Sequence, residues 1–216
     1  MMMAPPEAPV RFIAVAGNMG AGKSTLVDFL ERRFHVRPFY EPNESNPYLS
    51  DFYGDMPRWA FQSQAWFLTA KFRIHQQIQR CLSGEGGTFV QDRTIYEDAE
   101  IFAENLYRSK ILPERDYLSY RALYETILES LPPPDLLIYL KCSVRAVRQR
   151  IRLRGRPEEQ AVPLAYVRRL HDLYEEWFDR YTLSPTLVID SERLDYVSDL
   201  VHRFDLSRTI ERYIVT

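Results

Sequence analysis

The stretch Gly17-Asn18-Met19-Gly20-Ala21-Gly22-Lys23-Ser24-Thr25 decides the fold of this chain. It has the spacing G-x-x-x-x-G-K-S, follows the apolar run 12–16 and precedes the amphipathic segment 26–30. That order predicts a strand, a glycine-rich loop and a helix, in which backbone N–H groups and the helix N-terminus surround a polyphosphate. Lys23 is then expected to reach the β- and γ-phosphates, and Ser24 to bind Mg²⁺. The motif alone leaves open a simple glycine turn with a solvent-facing lysine.

Composition and charge bound the class of protein. The 216 residues suit one domain, 45% of them are hydrophobic, and the formal net charge of −2 does not indicate a nucleic-acid surface. No apolar run reaches the roughly 18 residues that a membrane span needs, and residues 1–10 lack the features of a signal peptide. We therefore expect a disordered tail over 1–10, a single domain over 11–216 and a cytoplasmic protein. Cys81 and Cys142 lie in apolar segments and are expected to be buried free thiols.

Short apolar runs alternate with longer helical patterns along the chain. This alternation predicts an α/β fold with a parallel sheet covered by helices on both faces, whose strand ends meet along one ligand-binding edge. The predicted strands are 11–16, 37–41, 88–92, 136–141 and 186–190. The predicted helices are 23–34, 57–82, 95–108, 115–130, 144–154, 163–180 and 194–214.

Charged residues stand where two of the predicted strands end. Asp92 and Arg93 follow an apolar strand, so Asp92 is expected to hold Mg²⁺, directly or through water, and Arg93 to point at the reacting centre. Glu41 ends the second predicted strand, where a carboxylate near the γ-phosphate could take the proton from an attacking hydroxyl. The competing interpretations are a strand-end ion pair for Asp92-Arg93 and an ordinary exposed glutamate for Glu41.

Arginines crowd the short segment 145–156. Arg150 and Arg154 are four residues apart and share one helix face, and Gly155 and Arg156 follow directly. Guanidinium groups neutralise charge on a transferring phosphoryl group, and a glycine at the helix end can serve as a hinge. We therefore interpret about 150–162 as an arginine-bearing lid, with a solvated basic helix as the alternative.

The long predicted helix 57–82 carries a polar and aromatic stripe. Gln64, Phe67 and Lys71 lie at positions i, i+3 and i+7, on one face of the helix. The Gln64 amide can make two hydrogen bonds to the edge of a base, and Lys71 with Asp98 could supply a charged pair near the same base. The alternative for a glutamine on a helix is an ordinary surface position.

Taken together, these residues resemble the deoxynucleoside kinase family, over about residues 11–180. The most specific parts are the phosphate loop, Tyr40-Glu41-Pro42, Arg58-Trp59 with Phe61 and Gln64, the stretch 92–98 (Asp-Arg-Thr-Ile-Tyr-Glu-Asp), and the stretch 150–160 (Arg-Ile-Arg-Leu-Arg-Gly-Arg-Pro-Glu-Glu-Gln). The sequence of residues 46–49 and 51–53 is most similar to the bacterial purine-preferring branch of the family. The resemblance implies a P-loop kinase fold.

The resemblance also implies a role for each matching position. Glu41 corresponds to the general base at the 5′-hydroxyl, and Arg93 to the arginine that orients that base and contacts phosphate; with Lys23 they form the expected catalytic set. Asp92 stands where the family usually has Glu and is expected at the metal with Ser24. Lys71 stands where Arg is more usual. The replacement keeps the positive charge but removes the planar guanidinium, which can make two parallel hydrogen bonds.

The wider sets of candidate residues follow from the same match. The candidate ATP- and phosphate-binding residues are Gly17, Asn18, Met19, Gly20, Ala21, Gly22, Lys23, Ser24, Thr25, Arg150, Arg154 and Arg156. The candidate substrate-binding residues are Glu41, Tyr53, Gln64, Phe67, Lys71, Arg93, Asp98, Phe102 and Glu159, of which Tyr53 and Glu159 match the pair that binds the sugar 3′-hydroxyl. Residues 190–196 match the loop near the donor base.

The expected activity is transfer of the γ-phosphoryl group of ATP, with Mg²⁺, to the 5′-hydroxyl of a deoxynucleoside, deoxyguanosine or deoxyadenosine first. A deoxycytidine-preferring kinase is the nearest alternative. A thymidylate-type monophosphate kinase would need an extra basic grip on the acceptor phosphate, and a non-catalytic nucleotide-binding switch would leave Glu41, Tyr53 and Glu159 without a role. The resemblance and the apolar content of helices 57–82 and 115–130 further predict a homodimer.

Overall fold

The fold is built on one parallel β-sheet, in a computed structural model that describes residues 10–42, 45–84, 86–156, 162–194 and 199–214. The central strands are buried at every position, or at all but the last, as expected for a parallel sheet covered on both faces. The strands are β1 (Phe12–Ala16), β2 (Arg37–Phe39), β3 (Phe89–Asp92), β4 (Leu136–Lys141) and β5 (Thr186–Asp190). They pair in the order β2-β3-β1-β4-β5, every pair parallel, which confirms the predicted α/β class and five-stranded sheet.

Helices cover the sheet, and most begin and end within two residues of their predicted bounds. The apolar positions of the helix after the lid segment, Tyr166, Leu170, Leu173, Tyr174 and Trp177, are all buried and follow the spacing of one helix face. The helices are α1 (Lys23–Phe34), α2 (Leu49–Gly54), α3 (Met56–Gly84), α4 (Ile95–Glu97), α5 (Glu104–Arg108), α6 (Glu114–Leu128), α7 (Val144–Arg154), α8 (Leu164–Asp179) and α9 (Leu200–Glu211).

Four local predictions need correction. The second strand ends at Phe39, so Glu41 lies two residues beyond it rather than at its end. The predicted helix 95–108 is interrupted by a π-helical segment, Asp98–Ala103, between α4 and α5. Helix α2 was not predicted, because six residues make fewer than two turns and show no clear period. The last helix begins at Leu200 rather than 194.

The remaining expectations concern the N-terminal tail, the two cysteines and membrane-spanning helices. Residues 1–9 of the predicted tail lie outside the described part of the chain, but Val10, its last residue, is 1% exposed and belongs to the core. Cys81 and Cys142 are free and buried, as predicted. Within the described ranges, no helix is both long and apolar enough to cross a membrane.

Strand order places the phosphate loop next to the Asp92-Arg93 pair. Val15 of β1 faces Asp92 of β3 in the parallel register, and the Arg93 N–H donates to the Val15 carbonyl at 3.0 Å. The loop after β1 and the turn after β3 therefore leave the same edge of the sheet side by side. Ligands of open parallel sheets bind at this carboxyl edge, where neighbouring connections diverge.

Candidate active site

A cleft of about 1360 Å³ opens over the carboxyl edge of the sheet and collects most of the predicted site residues. Gly17, Asn18, Ala21 and Lys71 are not among its wall residues, and Glu159 lies outside the described part of the chain. The predicted residues in the wall are Met19, Gly20, Gly22, Lys23, Ser24, Thr25, Glu41, Tyr53, Gln64, Phe67, Asp92, Arg93, Asp98, Phe102, Arg150, Arg154 and Arg156. Ser191, Glu192, Arg193 and Leu194, from the expected donor-base loop, line it as well.

Two glycines allow the phosphate loop its tight path. A Cβ on Gly17 would lie 2.9 Å from the Leu140 carbonyl oxygen, so β4 leaves no room for a side chain there. Gly22 adopts φ 101°, a left-handed conformation, immediately before α1 begins at Lys23. The loop therefore ends on the free N–H groups of the first turn of α1, which favour a bound anion.

Lys23 is held at the mouth of this loop. Its ammonium donates to the carbonyls of Gly17 at 2.9 Å and Asn18 at 3.1 Å. Burial, and then the positive charge of Arg93, lower the pKa of Lys23 to about 8. The side chain is 7% exposed and is therefore a desolvated cation fixed beside the loop rather than the solvent-facing lysine of the alternative interpretation.

Ser24 and Asp92 form the pair expected at a metal ion. The Ser24 hydroxyl donates to Asp92 Oδ2 at 2.6 Å, and Asp92 Oδ1 is buried with no hydrogen-bond partner among the described residues. A hydroxyl and a carboxylate oxygen are ligands that suit Mg²⁺. The described residues contain no cluster of three or more His, Cys, Asp or Glu side chains that could bind a metal by themselves. This donor set fits an ion that is shared with nucleotide phosphates.

Glu41 and Arg93 form a close ion pair in the wall of the cleft. Arg93 Nη1 lies 2.8 and 3.0 Å from the two carboxylate oxygens of Glu41. The Arg93 backbone has φ 60°, which is unusual for a residue with a side chain, and its guanidinium lies 4.6 Å from the centre of the Phe102 ring. The stacking on Phe102 and the ion pair hold the Arg93 guanidinium and the Glu41 carboxylate against each other.

Lys71 lies behind this pair rather than in the cleft surface. Its side chain is fully buried, and the ammonium donates to the Arg93 carbonyl at 2.9 Å. Glu41 Oε1 lies 3.5 Å away and Asp98 Oδ1 lies 3.8 Å away. The predicted Lys71–Asp98 charge pair is therefore present, and the described partners of the ammonium are protein groups.

Gln64 and Asp98 also line the cleft. Gln64 Oε1 and Asp98 Oδ2 are buried without a hydrogen-bond partner among the described residues. Burial raises the pKa of Asp98 to about 7. Asp98 begins the π-helical segment that also carries Phe102, and such segments are frequent at functional sites because they reorient side chains.

Arg150, one of the predicted lid arginines, is hydrogen-bonded to other parts of the protein. Its guanidinium donates to the Ala21 carbonyl at 2.9 Å and to the Ser191 hydroxyl at 3.2 Å. It thereby ties the phosphate loop to the turn after β5. Arg154, on the same face of α7, lines the cleft, and Gly155 ends the helix with φ 70°. Of the predicted lid, residues 157–161 lie outside the described chain.

Glu97 is a site residue that the sequence interpretation missed. It is fully buried, and its Oε2 accepts from the Thr94 N–H at 2.8 Å. Apart from its place in the stretch 92–98, its sequence signal is the pattern Thr94-x-x-Glu97, a capping box at the start of α4, which predicts a helix start and not a function. Burial raises the pKa of Glu97, whereas the positive charges of Arg93 and Lys23 lower it.

Comparisons with known proteins agree with this geometry. The sequence pattern of the family "Deoxynucleoside kinase" matches residues 13–215. The deoxyadenosine/deoxycytidine kinase of Bacillus subtilis is 37% identical, with 87% of this chain and 85% of the relative covered. The deoxyguanosine kinase of Lactobacillus acidophilus is 35% identical, with coverage of 88% and 85%. A solved structure of deoxyadenosine kinase from M. mycoides with bound dATP superposes with a TM-score of 0.79 at 30% identity, covering 92% of this chain and 97% of that one. This chain belongs to the deoxynucleoside kinase family.

Proposed function

We propose that this kinase transfers the γ-phosphoryl group of ATP to the 5′-hydroxyl of a deoxynucleoside, and that a purine deoxynucleoside is preferred. The observation that carries the proposal is the Glu41–Arg93 ion pair, which stands beside a complete phosphate loop in one cleft. A strong candidate base, a fixed cation and a phosphate site at one sheet edge are the parts that phosphoryl transfer to a hydroxyl requires.

In the proposed mechanism, Glu41 accepts the proton of the 5′-hydroxyl as the hydroxyl attacks the γ-phosphorus. Arg93 holds the carboxylate in place and offers its positive charge to the transferring group. Lys23 exchanges its loop carbonyl partners for phosphate oxygens, which carry more negative charge. Positioning and electrostatic stabilisation supply most of the rate, because the reaction asks little covalent chemistry of the protein.

Ser24 and Asp92 are the residues that would hold Mg²⁺. When bound with ATP, the ion neutralises charge on the β- and γ-phosphates. The support is the 2.6 Å contact between the two side chains and the free buried oxygen of Asp92. The contribution of this chain is to orient the two ligands beside the loop before the nucleotide arrives.

The proposed preference for a purine rests on the polar side chains of Gln64 and Asp98 and on the substrates in the names of the related kinases. Gln64 can pair with a base edge through its carbonyl oxygen and its NH₂ group. Asp98 can accept hydrogen bonds from bases that present N–H donors. The relatives named above act, by their names, on deoxyadenosine, deoxycytidine or deoxyguanosine. Deoxycytidine is therefore the second choice, and thymidine, whose 5-methyl group meets this polar region, is the poorest.

Lys71 supports the catalytic pair in this proposal and does not read the base. Its ammonium is anchored on the Arg93 carbonyl and lies between the carboxylates of Glu41 and Asp98. It stabilises the negative charge of both and sets the backbone of Arg93. Base selection is then left to Gln64 and Asp98.

A monophosphate acceptor is the nearest competing substrate class. The acceptor side of the cleft, which we define as Tyr53, Gln64, Phe67, Asp98 and Phe102, offers no cation of its own among the described wall residues. The nearest guanidinium, on Arg93, is already paired with Glu41. A neutral nucleoside fits such a wall better than a dianionic phosphate does.

The test is ADP release from ATP and Mg²⁺ with each deoxynucleoside and, separately, with each deoxynucleoside monophosphate. We expect turnover with the nucleosides and a preference for deoxyguanosine or deoxyadenosine. Turnover with monophosphates alone would replace the acceptor class, and nucleotide binding with no acceptor-dependent turnover would indicate a switch. Deoxycytidine as the best acceptor would change only the predicted size of the base site.

We also propose that the kinase forms a homodimer. The support is the family resemblance together with two exposed apolar side chains of α6, Leu118 and Leu123, which are 58% and 50% exposed. Contiguous exposed apolar patches mark protein–protein interaction sites. Sedimentation should show a species of twice the 25.6 kDa chain mass at micromolar concentration, and a single-chain species only would overturn this proposal.

A further inference from the structure

Glu97 stands where three elements of the site meet. Its Oε1 accepts from the Gly17 N–H of the phosphate loop at 3.3 Å and from the Tyr174 hydroxyl of α8 at 2.9 Å. Its Oε2 accepts from the Thr94 N–H at the start of α4. Arg93 Nε lies 3.9 Å from Oε1. One buried carboxylate therefore contacts the donor site, the residue before α4 and the helix after the lid segment.

Among the described residues, the groups that hydrogen-bond to the Glu97 carboxylate are all donors. The nearby Arg93 guanidinium adds a positive charge. Burying a carboxylate is costly unless donors and cations surround it. The structure meets that cost with backbone and side-chain donors from three separate segments. Glu97 therefore connects the three segments by direct contacts.

Helix α8 has a second link to the phosphate loop. The Asn18 side-chain amide donates to the Val167 carbonyl at 3.4 Å, and Tyr166, next to it on α8, lines the cleft. Tyr174 does not itself line the described wall of the cleft, so a contact between its hydroxyl and a substrate is not expected. Among the described contacts, its hydroxyl reaches the site through Glu97.

We propose that Glu97 is a positioning residue for phosphoryl transfer, which holds the first amide of the phosphate loop and the Arg93 side chain in register with helix α8 through Tyr174. The inference rests on the proposed function, because it concerns the alignment of Gly17 and Arg93 for that reaction. It assigns a role to two buried residues, Glu97 and Tyr174, outside the set of residues expected to touch ATP, metal or nucleoside.

The test uses two variants and a matched control. Glu97→Gln keeps the shape, but leaves one acceptor oxygen and turns an NH₂ group toward donors. Tyr174→Phe removes one hydroxyl from Glu97. Tyr139→Phe is the control, because Tyr139 is also buried, also donates to a carboxylate (Glu175 Oε1, 2.9 Å), and its ring lies 6.3 Å from the Tyr174 ring.

We expect kcat to fall about 10- to 100-fold in Glu97→Gln and about 3- to 10-fold in Tyr174→Phe, because small misplacements of catalytic groups are costly. Tyr139→Phe should lower the melting temperature about as much as Tyr174→Phe and leave kcat unchanged. The double variant Glu97→Gln/Tyr174→Phe should be no slower than Glu97→Gln alone, because both changes break one connection.

A purely structural role would lower the melting temperature of both tyrosine variants and leave kcat per folded enzyme unchanged in both, which would overturn the inference. Tyr174→Phe decides the matter even if Glu97→Gln does not fold. An additive loss in the double variant would also contradict it. If the unmodified enzyme turns over no deoxynucleoside, the proposed function fails instead, so the two failures are distinguishable.

Discussion

Replacement of Glu41 by Gln tests the proposed general base with little change of shape. Glu41 Oε1 is the oxygen nearer both cations, 2.8 Å from Arg93 Nη1 and 3.5 Å from Lys71 Nζ. The Gln oxygen will take that position, which leaves an amide group where Oε2 accepted from Arg93 at 3.0 Å. One charge-assisted contact is lost, at a cost of about 1.5–3 kcal/mol.

The larger loss is chemical, because an amide cannot accept the hydroxyl proton. Loss of a general base lowers the rate by about 10²–10⁴-fold, which corresponds to about 3–5 kcal/mol of barrier height. We therefore expect kcat to fall by at least about 10²-fold, with nucleoside KM changing much less. If Glu41 instead only bound the nucleoside, equally in the ground state and the transition state, its replacement would act mainly on KM.

The assay is steady-state ADP release at saturating ATP and Mg²⁺, with deoxyadenosine and deoxyguanosine varied. Glu100→Gln is the matched control, because Glu100 also pairs with an arginine, Arg121, at 2.7 Å, and lies outside the active-site cleft. That control should retain normal kcat. A Glu41→Gln enzyme with normal kcat and a raised KM would refute the reasoning and assign Glu41 to binding.

Three further predictions follow from the same geometry. Lys23→Ala should lower kcat by about 10²–10³-fold or more with an unchanged circular dichroism spectrum, and near-normal turnover would remove Lys23 from the site. Lys71→Met should destabilise the fold by about 3–5 kcal/mol in urea, because Glu41 and Asp98 lose a buried partner, and should not reorder the four deoxynucleosides; a changed order would show that Lys71 reads the base. Asp98 has a pKa raised from its ordinary 3.8 to about 7, so its contribution to stability is full below about pH 4 and is lost as the pH rises through about 7. Between pH 4 and 8 the parent should therefore lose up to about 4 kcal/mol more stability than Asp98→Asn, and identical pH profiles would contradict the buried, proton-binding state of Asp98.

Much of the fold is predictable because its signals are local. The phosphate loop, the apolar strands and the caps of α1 and α7 each lie within a few residues of sequence, so Lys23–Phe34 and Val144–Arg154 were predicted to the residue. The alternation of strands and helices then constrains the sheet, because parallel strands need crossovers of one hand. The stripe of Gln64 and Phe67 on α3 likewise faces the cleft as its period predicts.

The parts that were missed depend on distant contacts. The sequence shows a lysine at 71 and a glutamate at 97, but not that the first is anchored on the carbonyl of Arg93 or that the second meets Gly17 and Tyr174. Those contacts join segments that are tens of residues apart and have no periodic signature. The π-helical segment Asp98–Ala103 likewise has no local sequence signal of its own, and it contacts α3, α6 and α8.

One competition experiment tests the central claim most directly. The enzyme is given equal concentrations of the four deoxynucleosides with limiting ATP labelled at the γ-phosphate, and the labelled products are separated by chromatography and identified. The amounts formed early in the reaction report the ratios of kcat/KM. We expect labelled 5′-monophosphates of deoxyguanosine or deoxyadenosine to dominate, with deoxycytidine monophosphate next and thymidine monophosphate least. A reaction dominated by thymidine monophosphate, or label in no 5′-monophosphate, would contradict it.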